Sequence, residues 1–179
     1  IASFATWDGT GLVEVRAEST RPIQSVEIKP LSLGIKPEVN GNIITFKLRI
    51  PTYATVEVNG THHALHLFSN SPEQIPDNAD TLYFSPGVHY PGIVDLHSGQ
   101  TVHIAGGAVV YGGFRARNSE NIRICGRGIL DQSRMIRQDG VGGISMTGCN
   151  NIQIEGIIFR DPNVWTITLT ACQNVHIDG

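Results

Sequence analysis

From residue 11 to 69, hydrophobic and polar positions alternate with a period of two. Val13, Val15 and Ala17 are interleaved with Glu14 and Arg16, Val26 and Ile28 with Glu27 and Lys29, and Ile44, Phe46, Leu48 and Ile50 with Thr45, Lys47 and Arg49. This pattern predicts antiparallel strands with one buried and one wet face. Asn40-Gly41 and Asn59-Gly60 lie between such runs and predict type I′ hairpins, because that turn needs positive φ at both central residues. Several short strands joined by hairpins predict a small β-sandwich. No amphipathic helical period occurs, so strands should dominate, with at most a short helical turn capping the first coil.

Towards the carboxyl end the alternation becomes a repeat. Ile144-Ser-Met-Thr-Gly-Cys-Asn-Asn-Ile-Gln-Ile-Glu-Gly156 returns as Ile167-Thr-Leu-Thr-Ala-Cys-Gln-Asn-Val-His-Ile-Asp-Gly179, offset by 23 residues with six of thirteen positions identical. A period of this size makes one coil of a solenoid. A shorter phrase, Asn or Thr, then Val or Ile, any residue, Ile, any residue, Gly, starts at Thr101, Asn121, Asn151 and Asn174, in steps of 20, 30 and 23 residues. Stacked at the inter-strand spacing of roughly 4.8 Å, the phrases predict two interior ladders: Val102, Ile122, Ile152 and Val175, and Ile104, Ile124, Ile154 and Ile177. The closing glycines suit corners. The fold class expected is therefore all-β, a small antiparallel β-sandwich followed by the first coils of a right-handed parallel β-helix. Its boundaries are 1–70 for the sandwich, 71–80 for a proline-containing linker and 81–179 for the helix.

Composition narrows the function. With 179 residues, 40% hydrophobic and 16% charged, the chain can bury a core. A net charge of −3 and no run of Lys and Arg argue against a nucleic-acid partner, and no apolar stretch approaches the about 18 residues that a membrane helix needs. The chain begins at Ile1 without Met, which suits either a processed secreted protein or an excised piece of a longer one, and a secreted or periplasmic location is expected. Cys149 and Cys172 occupy equivalent repeat positions and, with Cys125, form neither a disulfide framework nor a zinc pattern; a buried, reduced ladder is expected, and a disulfide stays open. His62, His63 and His66 are expected to be sheet-surface residues, since no carboxylate or Cys completes a metal set. Asn59-Gly-Thr61 fits the glycosylation sequon, although the hairpin already explains Asn-Gly. No metal or cofactor is implied.

Tyr83-Phe-Ser-Pro-Gly-Val-His89, Ser98-Gly-Gln-Thr-Val-His-Ile-Ala-Gly-Gly-Ala-Val-Val-Tyr-Gly112 and Asn121-Ile-Arg-Ile-Cys-Gly-Arg-Gly-Ile-Leu-Asp131, with Trp165 and the Cys-Gln-Asn-Val phrase after it, resemble the opening coils of β-helix glycosidases. The chain resembles family 28 of the glycoside hydrolases, the polygalacturonase type, over most of its length. Family 49 dextranases share the sandwich-plus-helix plan and stand as the alternative. The resemblance implies a polysaccharide substrate and an inverting mechanism, in which one carboxylic acid protonates the leaving oxygen and a second carboxylate, roughly 6.5 to 9.5 Å away, activates water. The family's Asn-Thr-Asp, Asp-Asp, Gly-His-Gly-like and Arg-x-Lys segments do not occur here. The catalytic Asp residues are therefore expected beyond residue 179, and this chain is expected to be inactive by itself.

Two polar clusters are candidates for contacting sugar. Asp161, Arg160 and Trp165 lie in the loop after the third phrase, where Trp can stack on a sugar face and Arg can pair with a uronate carboxylate; loop packing and a solvated charge pair is the plainer reading. Asp131, Arg134 and Arg137 flank the insertion behind the 30-residue step; two arginines near a groove would suit an acidic polysaccharide, although surface arginines need no ligand. Glu155 and Asp178 fall at equivalent turn positions. A non-catalytic polysaccharide-binding β-helix and a polysaccharide lyase are the competing functions, the lyase requiring calcium-binding carboxylates that do not cluster here. The strand edge at Asn174 to Ile177 is expected to fray or to pair with another molecule.

Overall fold

The computed structural model describes residues 3–76, 78–136 and 142–178. The chain divides into two compact units, Ile1–Gln74 and Ile75–Gly179. Among the described residues both are built of strands. Among the described residues the only helical pieces are two 3-10 turns, Leu31–Leu33 and Thr61–His63, both in the first unit, and none of these residues forms a helical turn capping the first coil.

The first unit contains β1 (Ser3–Asp8), β2 (Gly11–Glu18), β3 (Val26–Lys29), β4 (Glu38–Asn40), β5 (Ile43–Ile50), β6 (Thr52–Val58) and β7 (Ala64–Asn70). They form two sheets, ordered β1-β7-β6-β3 and β2-β5-β4. Ile44, Phe46 and Leu48 of β5 share one core with Ile28, Ala54, Val56 and Leu67 of the other sheet, which makes a sandwich. Each of these side chains other than Ala54 contributes roughly 1.5–3 kcal/mol by leaving water. All pairings are antiparallel except β1 with β7, which is parallel. Ala5 and Trp7 of β1 pack against the core.

Both expected hairpins differ in detail. Asn40 pairs with Ile43, so the central residues of the first turn are Gly41 and Asn42, and only Gly41 has positive φ, as in a type II′ turn. At the second, Asn59 and Gly60 both have positive φ, but the Thr61–His63 turn follows before β7 begins. His62 and His63 are therefore not strand residues. The Asn59 side chain joins this loop to the 22–25 segment: its Oδ1 accepts from the amides of Gln24 (2.7 Å) and Ser25 (3.1 Å), and its Nδ2 donates to the Pro22 carbonyl (2.9 Å). The nitrogen that glycosylation would use is thus already engaged.

The second unit is a parallel β-helix. One sheet stacks β8 (Thr81–Phe84), β10 (Thr101–Ile104), β12 (Glu120–Gly126), β15 (Asn150–Glu155) and β18 (Gln173–Asp178), all parallel. Two long strands, β9 (Gly87–Leu96) and β11 (Ala108–Arg117), pair in parallel and supply the other two faces. The first half of β11 carries β13 (Ile129–Asp131) and then β16 (Ile158–Arg160); its second half carries β14 (Ile144–Thr147) and then β17 (Ile167–Thr170). The 23-residue repeat is one coil, since Ile144 lies opposite Ile167 and Ile152 opposite Val175.

The interior ladders are real, with one change of register. Ile122, Ile152 and Val175 stack, but Val102 lies opposite Ile124, which continues to Ile154 and Ile177. Ile104 lies opposite Gly126, where an added Cβ would overlap the Ile104 carbonyl. The first phrase is thus offset by two residues, a shift that keeps every side chain on its own face. Cys149 and Cys172 are reduced, as is the buried Cys125. Ser119, Cys149 and Cys172 make the same bond on successive corners, each donating to the carbonyl two residues earlier at 2.9, 3.4 and 3.5 Å.

Candidate functional site

In the first two coils the chain turns from the second face to the third within a single long strand. In the next two, separate short strands replace it: one ends at Asp131 or Arg160 and the next begins at Ile144 or Ile167. All five described candidate residues, Asp131, Arg134, Arg160, Asp161 and Trp165, fall at this crossing; Arg137 lies outside the described residues.

The crossing is organised by one outward-facing ladder. Val110 and Leu130 are buried inside the helix, so the residues after them, Tyr111 and Asp131, face outward, and Asp131 lies opposite Arg160. In β9 the pair Tyr90-Pro91 stands against the single Tyr111, a bulge that also accommodates a proline within a strand. The Tyr90 and Tyr111 rings stack at 5.1 Å with 7° between their planes. The Arg134 guanidinium lies 5.2 Å from one centroid and 4.8 Å from the other. Capping the far end of the stack would place it about twice as far from one ring, so Arg134 bridges both.

Asp131 is 1% exposed and fully engaged. The Ser133 amide (2.7 Å) and hydroxyl (2.6 Å) donate to Oδ1, and Arg160 Nε donates to Oδ2. Burial pushes this carboxyl up, but the Ser133 bonds and Arg160 outweigh it and hold it below the ordinary aspartate value. Its bond to Asp131 raises Arg160 in turn, with a smaller contribution from Asp161. The pair expected between Arg160 and Asp161 is thus superseded by one to Asp131. Asn163 ties the two loops together: its amide donates to Gln132 Oε1 (3.2 Å) and its Nδ2 to the Ile136 carbonyl (3.0 Å). Trp165 is 70% exposed, and its carbonyl accepts from the Gly143 amide at 3.1 Å.

Beside the crossing, the third face turns Asp95, Arg115, Ser145 and Thr168 outward in one row, and Arg117, Thr147 and Thr170 in the next. Asp95 takes Arg115 in a bidentate pair at 2.5 and 2.8 Å, and the Arg115 bond lowers the Asp95 carboxyl. The arrangement is a hydroxyl-rich strip flanked by exposed rings, suited to a polymer offering both polar groups and flat faces. Tyr90 and Tyr111 were not among the sequence candidates, although Tyr90-Pro-Gly92 and Tyr111-Gly112, each a tyrosine just ahead of a glycine, were a readable signal.

Histidines form no metal centre: among the described residues no group of three or more His, Cys, Asp or Glu side chains is disposed to hold a metal ion. His63 Nε2 lies 2.7 Å from Arg21, and His66 Nδ1 lies 3.0 Å from the Thr55 hydroxyl. No helix among the described residues is long and apolar enough to cross a membrane.

No family model and no curated protein matches the sequence. Among solved structures, the chain is similar to Dex49A from Penicillium minioluteum, with a TM-score of 0.63 and 16% identity over 89% of this chain and 43% of that one. It also matches a Parabacteroides merdae ATCC 43184 protein assigned by inference to the glycosyl hydrolases, with a TM-score of 0.49 and 27% identity over 55% of this chain and 57% of that one. The likeness to Dex49A shows a shared fold. The chain spans less than half of Dex49A's length.

Proposed function

We infer that this chain is part of a polysaccharide-cleaving glycoside hydrolase and that the polymer lies along the third face, against Trp165 and the Tyr90–Tyr111 stack. The observation that carries this reading is the flanking of a Ser and Thr strip by exposed rings on a β-helix. Fold alone would leave the function open.

Of the two substrate classes, the geometry favours a neutral glucan of the dextran type. A uronate polymer would call for arginines free to receive its carboxylates, yet Arg160 faces Asp131 and Arg115 faces Asp95. The name Dex49A fits the family 49 alternative. Polygalacturonate stays as the second reading because Arg134, on the tyrosine faces, has no carboxylate partner among the described residues.

Neither Asp95 nor Asp131 suits the proton donor of an inverting pair, since both are held below the ordinary value and a general acid needs the opposite shift. This agrees with a catalytic pair supplied from outside these coils. A polymeric substrate agrees with a secreted or periplasmic location. The test is retention of the protein on immobilised dextran and on polygalacturonate, with reducing-end release measured in parallel. Stronger retention on dextran supports the neutral reading, stronger retention on polygalacturonate the second, and retention on neither removes the proposal.

A further inference from the structure

The sandwich has its own cavity, a cleft of about 590 Å³ within the first unit, inside the range of roughly 300–1,000 Å³ typical of small-molecule sites. Its floor is aliphatic, formed by Ile44, Val56, Val58 and Leu65, and no Phe, Tyr or Trp ring lines it. Its rim carries Glu18, Arg21, His62 and His63. Arg21 Nη1 stands 2.7 Å from His63 Nε2. A guanidinium cannot accept a hydrogen bond, so Nε2 is the acceptor and the His63 proton sits on Nδ1. Both side chains therefore still offer N–H donors.

The rim is set in place before any ligand arrives. The Ser19 hydroxyl donates to the Arg21 carbonyl (2.8 Å) and accepts from the Arg21 amide (3.1 Å). The Asn59 side chain holds the histidine loop against residues 22–25. Preorganisation of this kind lowers the cost of binding.

We propose that this cleft binds a small carboxylate-bearing molecule, its carboxylate on Arg21 beside His63 and its body on the aliphatic floor. A guanidinium matches a carboxylate in geometry and charge. Glu18 on the same rim repels a second negative charge, which disfavours inorganic phosphate. The missing aromatic platform disfavours a neutral sugar. All of its lining residues belong to the first unit.

The test is a set of amide chemical-shift titrations of the whole, isotope-labelled chain with sodium hexanoate, sodium glucuronate, hexan-1-ol, glucose and inorganic phosphate. Hexanoate or glucuronate should shift the amides of Ser19 to Arg21 and Thr61 to Leu65 saturably at millimolar concentration, and the tighter of the two identifies an aliphatic or a sugar acid. Hexanol, glucose and phosphate should bind at least about tenfold more weakly, equivalent to about 1.4 kcal/mol. Arg21→Gln, an exposed substitution, should lose at least about tenfold in affinity, and His63→Gln should weaken binding as well. Absence of saturable shifts with both acids, equal binding of a neutral analogue or phosphate, or unchanged affinity in Arg21→Gln would overturn the proposal.

Discussion

The Asp131 carboxylate and the Arg160 guanidinium meet across one rung of the β-helix, 29 residues apart in sequence and direct partners in register. Because the folded state holds Asp131 below the ordinary aspartate value of about 3.9, its contribution is complete above that value and is lost as pH falls through the lower folded one. Asp131→Asn should cost about 1–3 kcal/mol near neutrality, where Arg160 and Ser133 lose a charged acceptor. Urea unfolding from pH 7 down to 3 should show the difference between wild type and variant shrinking in acid. An acid-independent difference would mean the pair does not form.

The interior ladder predicts a contrast along a single row. Ile124 is 0% exposed between Val102 and Ile154, whereas Ile177 at the edge of the same sheet is 51% exposed. Ile124→Ala should destabilise by about 2–5 kcal/mol, and Ile177→Ala by less than about 1 kcal/mol. Guanidinium midpoints at constant slope measure both.

Gly148 and Ala171 occupy the same corner on successive coils, both in the left-handed region at φ 64° and 53°. An added Cβ on Gly148 would lie 2.5 Å from Asn118 Oδ1. Gly148→Ala should therefore destabilise by about 1–2 kcal/mol, while Ala171→Gly should stabilise by up to about 1 kcal/mol. Opposite shifts in thermal midpoint are the expected result.

If the polymer crosses the exposed rings, Trp165→Ala should weaken its binding about tenfold, equivalent to about 1.4 kcal/mol. Trp165 is 70% exposed, so the unfolding midpoint should stay unchanged. Affinity electrophoresis in dextran gels separates the two effects.

The faces of the helix were legible because alternation is local: Ile122, Ile124, Ile152 and Ile154 announce their burial within four residues of sequence. Register was less so. A slip of two residues leaves the alternation unchanged, and only the overlap of Gly126 with Ile104 shows that Val102 belongs with Ile124. Strand β1 was missed because Ser3–Asp8 pairs in parallel with a segment some 60 residues away, without a hairpin to mark it. At the candidate site the residue types were readable, but their partners were not. Nothing near Arg160 in sequence points to Asp131, and the tyrosine stack depends on a bulge created by Tyr90-Pro91.

The functional reading rests on successive coils stacking in parallel so that residues 20 to 30 positions apart share one outer ladder. Inter-strand nuclear Overhauser contacts between backbone protons test this most directly. The account predicts cross-peaks linking Ser145 with Thr168, Leu130 with Phe159 and Ile124 with Ile154, as in-register parallel neighbours. Their absence, with antiparallel contacts between adjacent segments such as 144–147 and 150–155 in their place, would contradict it.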